Sequence, residues 1–402
     1  MNIIFLGKFY PRTLIQTIAT DSKGKAGMSN HNFEMSIING LCQHEGIYLK
    51  CISIPGVYSY PYNNRKLYTK SESYTYKNAH VTSIGFCNLP VIKELWSTIA
   101  LVICLVKVIV HYHGDQVNLI INTPNNGLLN AVRFARCFTR KKITQTVIIP
   151  DIPSLVTAMD KQSKLKDLIL KYRNKRAMKM TSDSDGLVLL TEAMMDFLDK
   201  PVPYIVMEGI VDVESMDIET RTSGKEIILY TGTLRKIFGV MNLVHAFQKI
   251  TNRDIELWIC GSGDSEGAIK EAAEADSRIK FFGLVDSLTA LKMQRQATIL
   301  VNPRTSEGEY TKYSFPSKTM EYLLSGTSVI INRLPGIPEE YYQYVFTPKD
   351  ESLESLVECI LNVITMDIGL RNKRSLNGRK FVISNKNSKK QTKRILDIID
   401  EY

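Results

Sequence analysis

The stretch "KYSFPSKTMEYLLSGTSVI", residues 312 to 330, gathers two serines, a lysine and a glutamate around one helix start. Pro316 suits the first turn, because its missing N–H is one that has no partner inside a helix. Gly326 reads as the residue just past the helix end, and Thr327 to Ile331 as a buried strand. Lys318 stands against the helix dipole, which favours negative charge at that end. A bound anion resolves the conflict, held by the open N–H groups with Ser314, Ser317 and Lys318 around it. Glu321, four residues after Ser317, falls on the same face one turn deeper. As an acceptor-only carboxylate it suits the paired hydroxyls of a ribose, against the plainer reading of a glutamate facing solvent.

Two more groups have the same character. In "ILYTGTLRKIFGVMNLVHAF" a strand is followed by Gly232 and the basic pair Arg235–Lys236, and in "LWICGSGDSEGAI" Gly261 and Gly263 follow a strand directly. Glycines there let backbone N–H groups approach a ligand, and Arg235 with Lys318 would hold a diphosphate. Taken singly, each is also an ordinary loop with solvated basic residues. Asp151, at the end of "VIIPDIPSL", is either a turn residue or a contact to substrate. Asp183-Ser-Asp185 has the spacing of a metal motif but precedes its strand, the wrong end for a ligand site, so no metal site is expected. None of the six histidines reads as a base.

The elements that must position these residues alternate. "NIIFLG", "IYLKCISIP", "VNLIINTP", "TQTVIIPD" and "GLVLLT", then "EIILYTG", "IELWICGSG", "IKFFG", "TILVNP" and "TSVIIN", are short apolar strands separated by helical patterns. Such runs indicate parallel sheets covered on both faces. With 402 residues, two domains are expected. The series divides at the polar "DVESMDIETRTSGKE". The expected plan is an α/β chain of two doubly wound, Rossmann-like domains facing each other across a cleft. Residues 1–205 form the acceptor-side domain, 206–225 a linker and 226–380 the ligand-binding domain, with a basic tail or helix at 381–402.

A composition of 44% hydrophobic and 23% charged residues excludes a disordered chain. Lys and Arg number 51 against 41 Asp and Glu, a net charge of +10, which favours anionic partners. The seven cysteines show no paired spacing and read as reduced thiols. The start "MNIIFLGKFYP" reads as a strand, so a cytoplasmic location is expected. "LWSTIALVICLVKVIVHYH", 95 to 113, is apolar but broken by Lys107, which favours a buried or interfacial helix over a spanning one. The basic stretch 160–180, "DKQSKLKDLILKYRNKRAMKM", is read two ways: a solvated face, or a contact with the anionic inner face of the plasma membrane.

From Tyr230 to about Tyr341 the chain resembles a family 4 glycosyltransferase of the GT-B type, in the form common in bacterial capsule and O-antigen sugar transferases. The resemblance lies in "YTGTL…FGV…AF", "LWICGSGD", "FFGLV", "ATILVNPR" and "YSFPSKTMEYLLSGTSVI" followed by "LPGIPEEY". It implies a nucleotide-diphosphate-sugar donor, transfer to a glycan or lipid-linked glycan with retained configuration, and no metal or other cofactor. By position, Gly232 would border the diphosphate, Arg235 contact it, Ser317 and Lys318 meet the phosphates and Glu321 the ribose. Many members have a second glutamate where this chain has Tyr313; Glu309 and Glu307 lie nearby but out of register, and Glu309 is the candidate. In the first half, "KGKAGMSNHNFEMSIINGL" resembles the family's glycine-bearing loop and first long helix, so Gly27 and Asn30 would face the acceptor. Asp151 stands near the point where many relatives present a histidine.

Three rival readings remain. A nucleotide-sugar epimerase of the same fold would carry acid and base carboxylates and histidines, which do not stand out here. A dehydrogenase would show G-x-G-x-x-G after its first strand, where this chain has "GKFYPR". A nucleic-acid-binding module would account for the charge but not for basic residues gathering with glycines at strand ends, so no nucleic-acid partner is expected.

Overall fold

The computed structural model describes residues 1–21, 28–61, 64–158, 163–212 and 225–401. The chain forms two units: Met1–Asp212 together with Ser388–Tyr402, and Val213–Asn387.

The first unit runs β1 (Asn2–Gly7), α1 (Arg12–Ile15), α2 (Ile18–Asp21), α3 (Met28–Leu41), β2 (Tyr48–Ser53), β3 (Tyr68–Thr69), β4 (Glu72–Tyr76), β5 (Ala79–Ser83) and β6 (Phe86–Cys87). It continues with α4 (Pro90–His111), β7 (Gln116–Asn122), α5 (Asn126–Arg136), β8 (Lys142–Ile149), α6 (Pro153–Ala158), α7 (Lys164–Thr181), β9 (Gly186–Leu189) and β10 (Tyr204–Val206). Eight of these strands form one sheet in the order β10-β9-β8-β7-β1-β2-β5-β4. Every pairing in it is parallel except β4 with β5. The central strands are apolar throughout because both faces are covered: Ile3, Ile4, Phe5 and Leu6 are all inaccessible to solvent. The chain moves outward one way from β1 and the other way from β7. The ends of these two neighbours are therefore the switch point, where open α/β sheets bind ligands.

The second unit runs β11 (Glu226–Thr231), α8 (Val240–Gln248), β12 (Ile255–Cys260), α9 (Glu266–Ala275), β13 (Ile279–Gly283), α10 (Ser287–Gln296), β14 (Ile299–Asn302), α11 (Ser317–Ser325), β15 (Ser328–Ile331), α12 (Leu353–Thr365) and α13 (Ile368–Asn385). Its sheet is parallel, in the order β13-β12-β11-β14-β15, with the switch point between β11 and β14. Ile228, Leu257, Ile259, Val301 and Ile330 fill the core with Leu243 and Phe247 of α8.

The expected boundaries shift. The segment expected to open a linker at 206 belongs to the first unit: Val206 pairs in β10, and Met207 and Val211 are buried. The tail expected from 381 divides in two. Residues up to Asn385 complete α13, where Phe381 and Val382 are buried, and α14 (Ser388–Asp400) returns to the first unit. Its Ile395, Leu396, Ile398 and Ile399 join a core with Ile37, Ile38 and Leu41 of α3. The expected basic tail or helix is thus a helix over Ser388–Asp400, and what it covers depends on contacts distant in sequence.

Candidate active site

The second unit's switch point is built from backbone. Gly232 follows β11 and donates its N–H to Cys260 O (3.0 Å), while Gly261 donates to Gly283 O (2.7 Å) and Leu234 to Ser262 O (2.9 Å). The three strand ends are thereby tied together. Gly261 has φ +141°, and a Cβ there would lie 1.8 Å from Gly232 O; one on Gly263 would lie 2.4 Å from Leu234 O. Their glycine identity is thus required by this close backbone approach, whatever else the loops do.

α11 starts at Ser317, after Pro316, and ends at Gly326 with φ +78°. Ser317 is exposed at the helix start, and the first N–H groups of a helix have no partner within it. The helix is anchored by Tyr322, fully buried, whose hydroxyl accepts from Thr231 N (2.9 Å) and donates to Thr231 O (3.1 Å). That pair fixes α11 against the end of β11. Lys318 and Glu321 then meet: Lys318 Nζ lies 2.9 and 2.8 Å from the two Glu321 oxygens. Their side chains remain about one-third and two-fifths exposed, so both keep a face for a ligand. Burial raises the Cys260 thiol at the end of β12 to about 11, and the Lys318 charge partly opposes that rise.

Two residues not singled out in the sequence complete the site. Gln294 of α10 is fully buried and donates through Nε2 to Thr231 Oγ1 (2.9 Å) and Glu321 Oε1 (2.5 Å). It holds the carboxylate in place. Arg304, two residues beyond β14, is 8% exposed and gives Nη2 to Ser314 Oγ (2.7 Å). Its guanidinium lies 4.6 Å from the Tyr310 ring centre and 5.3 Å from that of Phe238, a sandwich that fixes the cation at the switch point. Arg304 Nε and Gln294 Oε1 are buried without a partner among the described residues. Ser314, expected beside a ligand, is therefore first of all the partner of Arg304. Arg235 sits in the β11 loop just before Lys236, whose N–H is held by Asp264 (2.8 Å). Glu309 is exposed in a short 3-10 turn, Glu309–Tyr313, and Tyr313 is buried. The position where the family resemblance would put a second glutamate is thus filled by a tyrosine packed inside.

The first unit's switch point has its own cluster. Glu34 of α3, with no solvent exposure, accepts from Lys8 N (2.8 Å), Asn30 Nδ2 (2.9 Å) and Asn122 Nδ2 (2.6 Å). Burial raises its carboxyl to about 7, and these donors, with the Phe9 N–H, oppose the rise. Asn30, expected to face the acceptor, is thus engaged in holding the loop after β1. His31 accepts from Tyr10 N (3.1 Å), and burial lowers it to about 4, so it stays neutral. Glu34 was not read from the sequence, because a glutamate in an amphipathic helix normally faces water. Asp151 is exposed beyond β8. Gly27 lies outside the described residues. Asp183 and Asp185 stand at the start of β9, where Asp185 accepts from Gln145 N (2.7 Å) and Asp183 pairs with Lys200 (2.9 Å).

Comparison with known proteins agrees with this fold. Residues 225–367 match the family model described as glycosyl transferases group 1. No curated protein matches the sequence. Among solved structures the chain is similar in fold to sucrose-phosphate synthase from Thermosynechococcus elongatus (TM-score 0.66, 14% identity, 100% of this chain and 99% of that one). It is similar also to HepE of Anabaena in complex with UDP and glucose (TM-score 0.61, 14% identity, 100% of both chains). A third is the lipopolysaccharide outer core galactosyltransferase WaaB (TM-score 0.59, 13% identity, 100% of this chain and 99% of that one). In fold, the two Rossmann-like units are of the GT-B type, as in these solved structures.

Proposed function

We propose that the protein moves a sugar from a nucleotide-diphosphate donor to a hydroxyl of a glycan or lipid-linked glycan, with retained anomeric configuration, in surface polysaccharide synthesis. The observation that carries the reading is the convergence of Lys318, Glu321, Arg304 and the α11 start on the ends of β11 and β14. A diphosphate fits there because backbone donors, dipole and two cations all favour an anion. Glu321 is steadied by Gln294 and Lys318 and has lone pairs left for ribose hydroxyls. The solved neighbour holding UDP and glucose, and the one that is a lipopolysaccharide galactosyltransferase, support the donor and acceptor classes.

In the reaction, the bond between the anomeric carbon and the diphosphate oxygen breaks, and the diphosphate leaves with the electron pair. The acceptor oxygen forms the new bond on the same face of the sugar and loses its proton to a phosphate oxygen. Lys318, Arg304, Arg235 and the helix start would stabilise the charge that grows on the leaving group. These cations make a divalent metal unnecessary. The test is NMR of the product from a nucleotide-sugar and an oligosaccharide acceptor, in buffer containing EDTA. The expected product keeps the donor's anomeric configuration, and inversion, or turnover that returns only with added manganese, overturns the corresponding part of the reading.

A further inference from the structure

α4 links β6 to β7 and must lay one side on the first unit. Ser97, Leu101, Leu105 and Ile109, four residues apart, do so and are buried. The opposite side of such a helix is normally polar. Here it presents Ile92, Leu95, Trp96, Ile99, Ile103 and Val110, each between 48% and 65% exposed, with Lys107 among them. α7, bridged to α4 by an Arg173–Glu94 ion pair, repeats the arrangement. Its Leu165, Leu168, Ile169 and Tyr172 follow the spacing of one helical face and are 50% to 70% exposed. The basic residues Lys164, Lys166, Lys171 and Lys175 lie exposed beside them.

We propose that the outward faces of α4 and α7 dock the protein on an anionic phospholipid bilayer. The apolar side chains enter the boundary between headgroups and acyl chains, and the lysines meet the lipid charge. α4 is long and apolar enough to cross a membrane, yet the fold holds it at the surface. Tyr112, directly after it, donates to Ile3 O (3.0 Å) and Tyr48 O (3.1 Å), and β7 begins in the sheet four residues later. A helix packed on one side and tied at its end lies on a membrane. Charge selects this occupant over a second copy of the chain. α7 carries Lys164, Lys166, Lys171, Arg173, Lys175, Arg176 and Lys179 against Asp167. A two-fold contact would set this cationic face against itself, whereas anionic lipid neutralises it. The inference rests on the first unit and is independent of the reading of the second.

Trp96 reports directly. In a Trp258→Phe background it is the single tryptophan, since the sequence has two. Phosphatidylcholine vesicles with and without phosphatidylglycerol are added, and tryptophan emission and co-flotation are measured. A blue shift and co-flotation with the phosphatidylglycerol vesicles, weakened by salt, are expected. Ile99→Glu with Ile103→Glu should abolish both while leaving the melting temperature unchanged, because these side chains are already in solvent. Lys164→Gln, Lys166→Gln and Lys175→Gln together should weaken partitioning by about 10²-fold, roughly fivefold for each charge. Absence of co-flotation overturns the proposal. So does a blue shift that appears without vesicles and follows dimer formation in sedimentation.

Discussion

Lys318 and Glu321 form one ion pair, to which the proposed reading gives a second duty at the donor. Glu321 answers the cation at the helix start, so the unfavourable position of Lys318 against the dipole is compensated within one turn. Lys318→Met should therefore change stability by no more than about 1 kcal/mol, since the pair is partly exposed. The rate of transfer should fall on the order of 10²-fold, more than donor affinity does, because leaving-group charge is greatest in the transition state. Stopped-flow turnover beside calorimetric donor binding checks the split, and equal losses would make Lys318 a ground-state binder only. Glu321→Ala should weaken donor binding by about 1.5–3 kcal/mol while the protein stays folded. Unchanged affinity in calorimetry would remove Glu321 from the ribose. These two residues were legible because their partners are local: serine, lysine and glutamate share one turn. Gln294 was not, since "LKMQRQ" gives no sign that one glutamine points inward to meet Thr231 and Glu321, which are 63 and 27 residues away in the chain. Arg304 stood in a strand-end motif, but its fixation by Tyr310, Phe238 and Ser314 depends on packing between loops.

At the scale of elements, the strand ends are closer together than side chains permit. Gly261→Ala would force a Cβ onto Gly232 O at φ +141°. The expected cost is more than about 3 kcal/mol, or roughly 6–12 °C in the melting of the second unit. Differential scanning calorimetry checks it, and an unchanged transition would mean that β11 and β12 separate easily. The alternation of apolar strands and helices was legible because parallel strands buried on both faces are continuous in sequence. Strand order was less so: nothing local states that β1 lies between β2 and β7, or that β14 inserts beside β11. α4 was legible on its packed side. Its outer side was not, because apolar residues around a whole helix ordinarily mean burial, and only the fold reveals which of them face out.

At the scale of the molecule, the second unit is an insertion in the first. The chain leaves at Asp212 and re-enters at Ser388, and the two points touch: Ser388 N donates to Val211 O at 2.9 Å. α14 then covers the apolar side of α3 so closely that a Cβ on Gly40 would lie 2.2 Å from Ser388 O. Replacing Val213–Asn387 by a short glycine linker should give a protein that unfolds cooperatively, while residues 1–212 alone should not. The four buried aliphatic side chains of α14 are each worth about 1.5–3 kcal/mol, comparable in sum with the whole stability of a domain. Urea denaturation of both chains decides, and equal cooperativity would make α14 dispensable. The same feature sets a timetable during synthesis. A ribosome makes the first unit's sheet, then the entire second unit, and only afterwards the helix that closes the first. Throughout that interval Ile37, Ile38 and Leu41 lack their cover, so a nascent chain stalled before Ser388 displays a greasy patch that chaperones and proteases can read as unfinished.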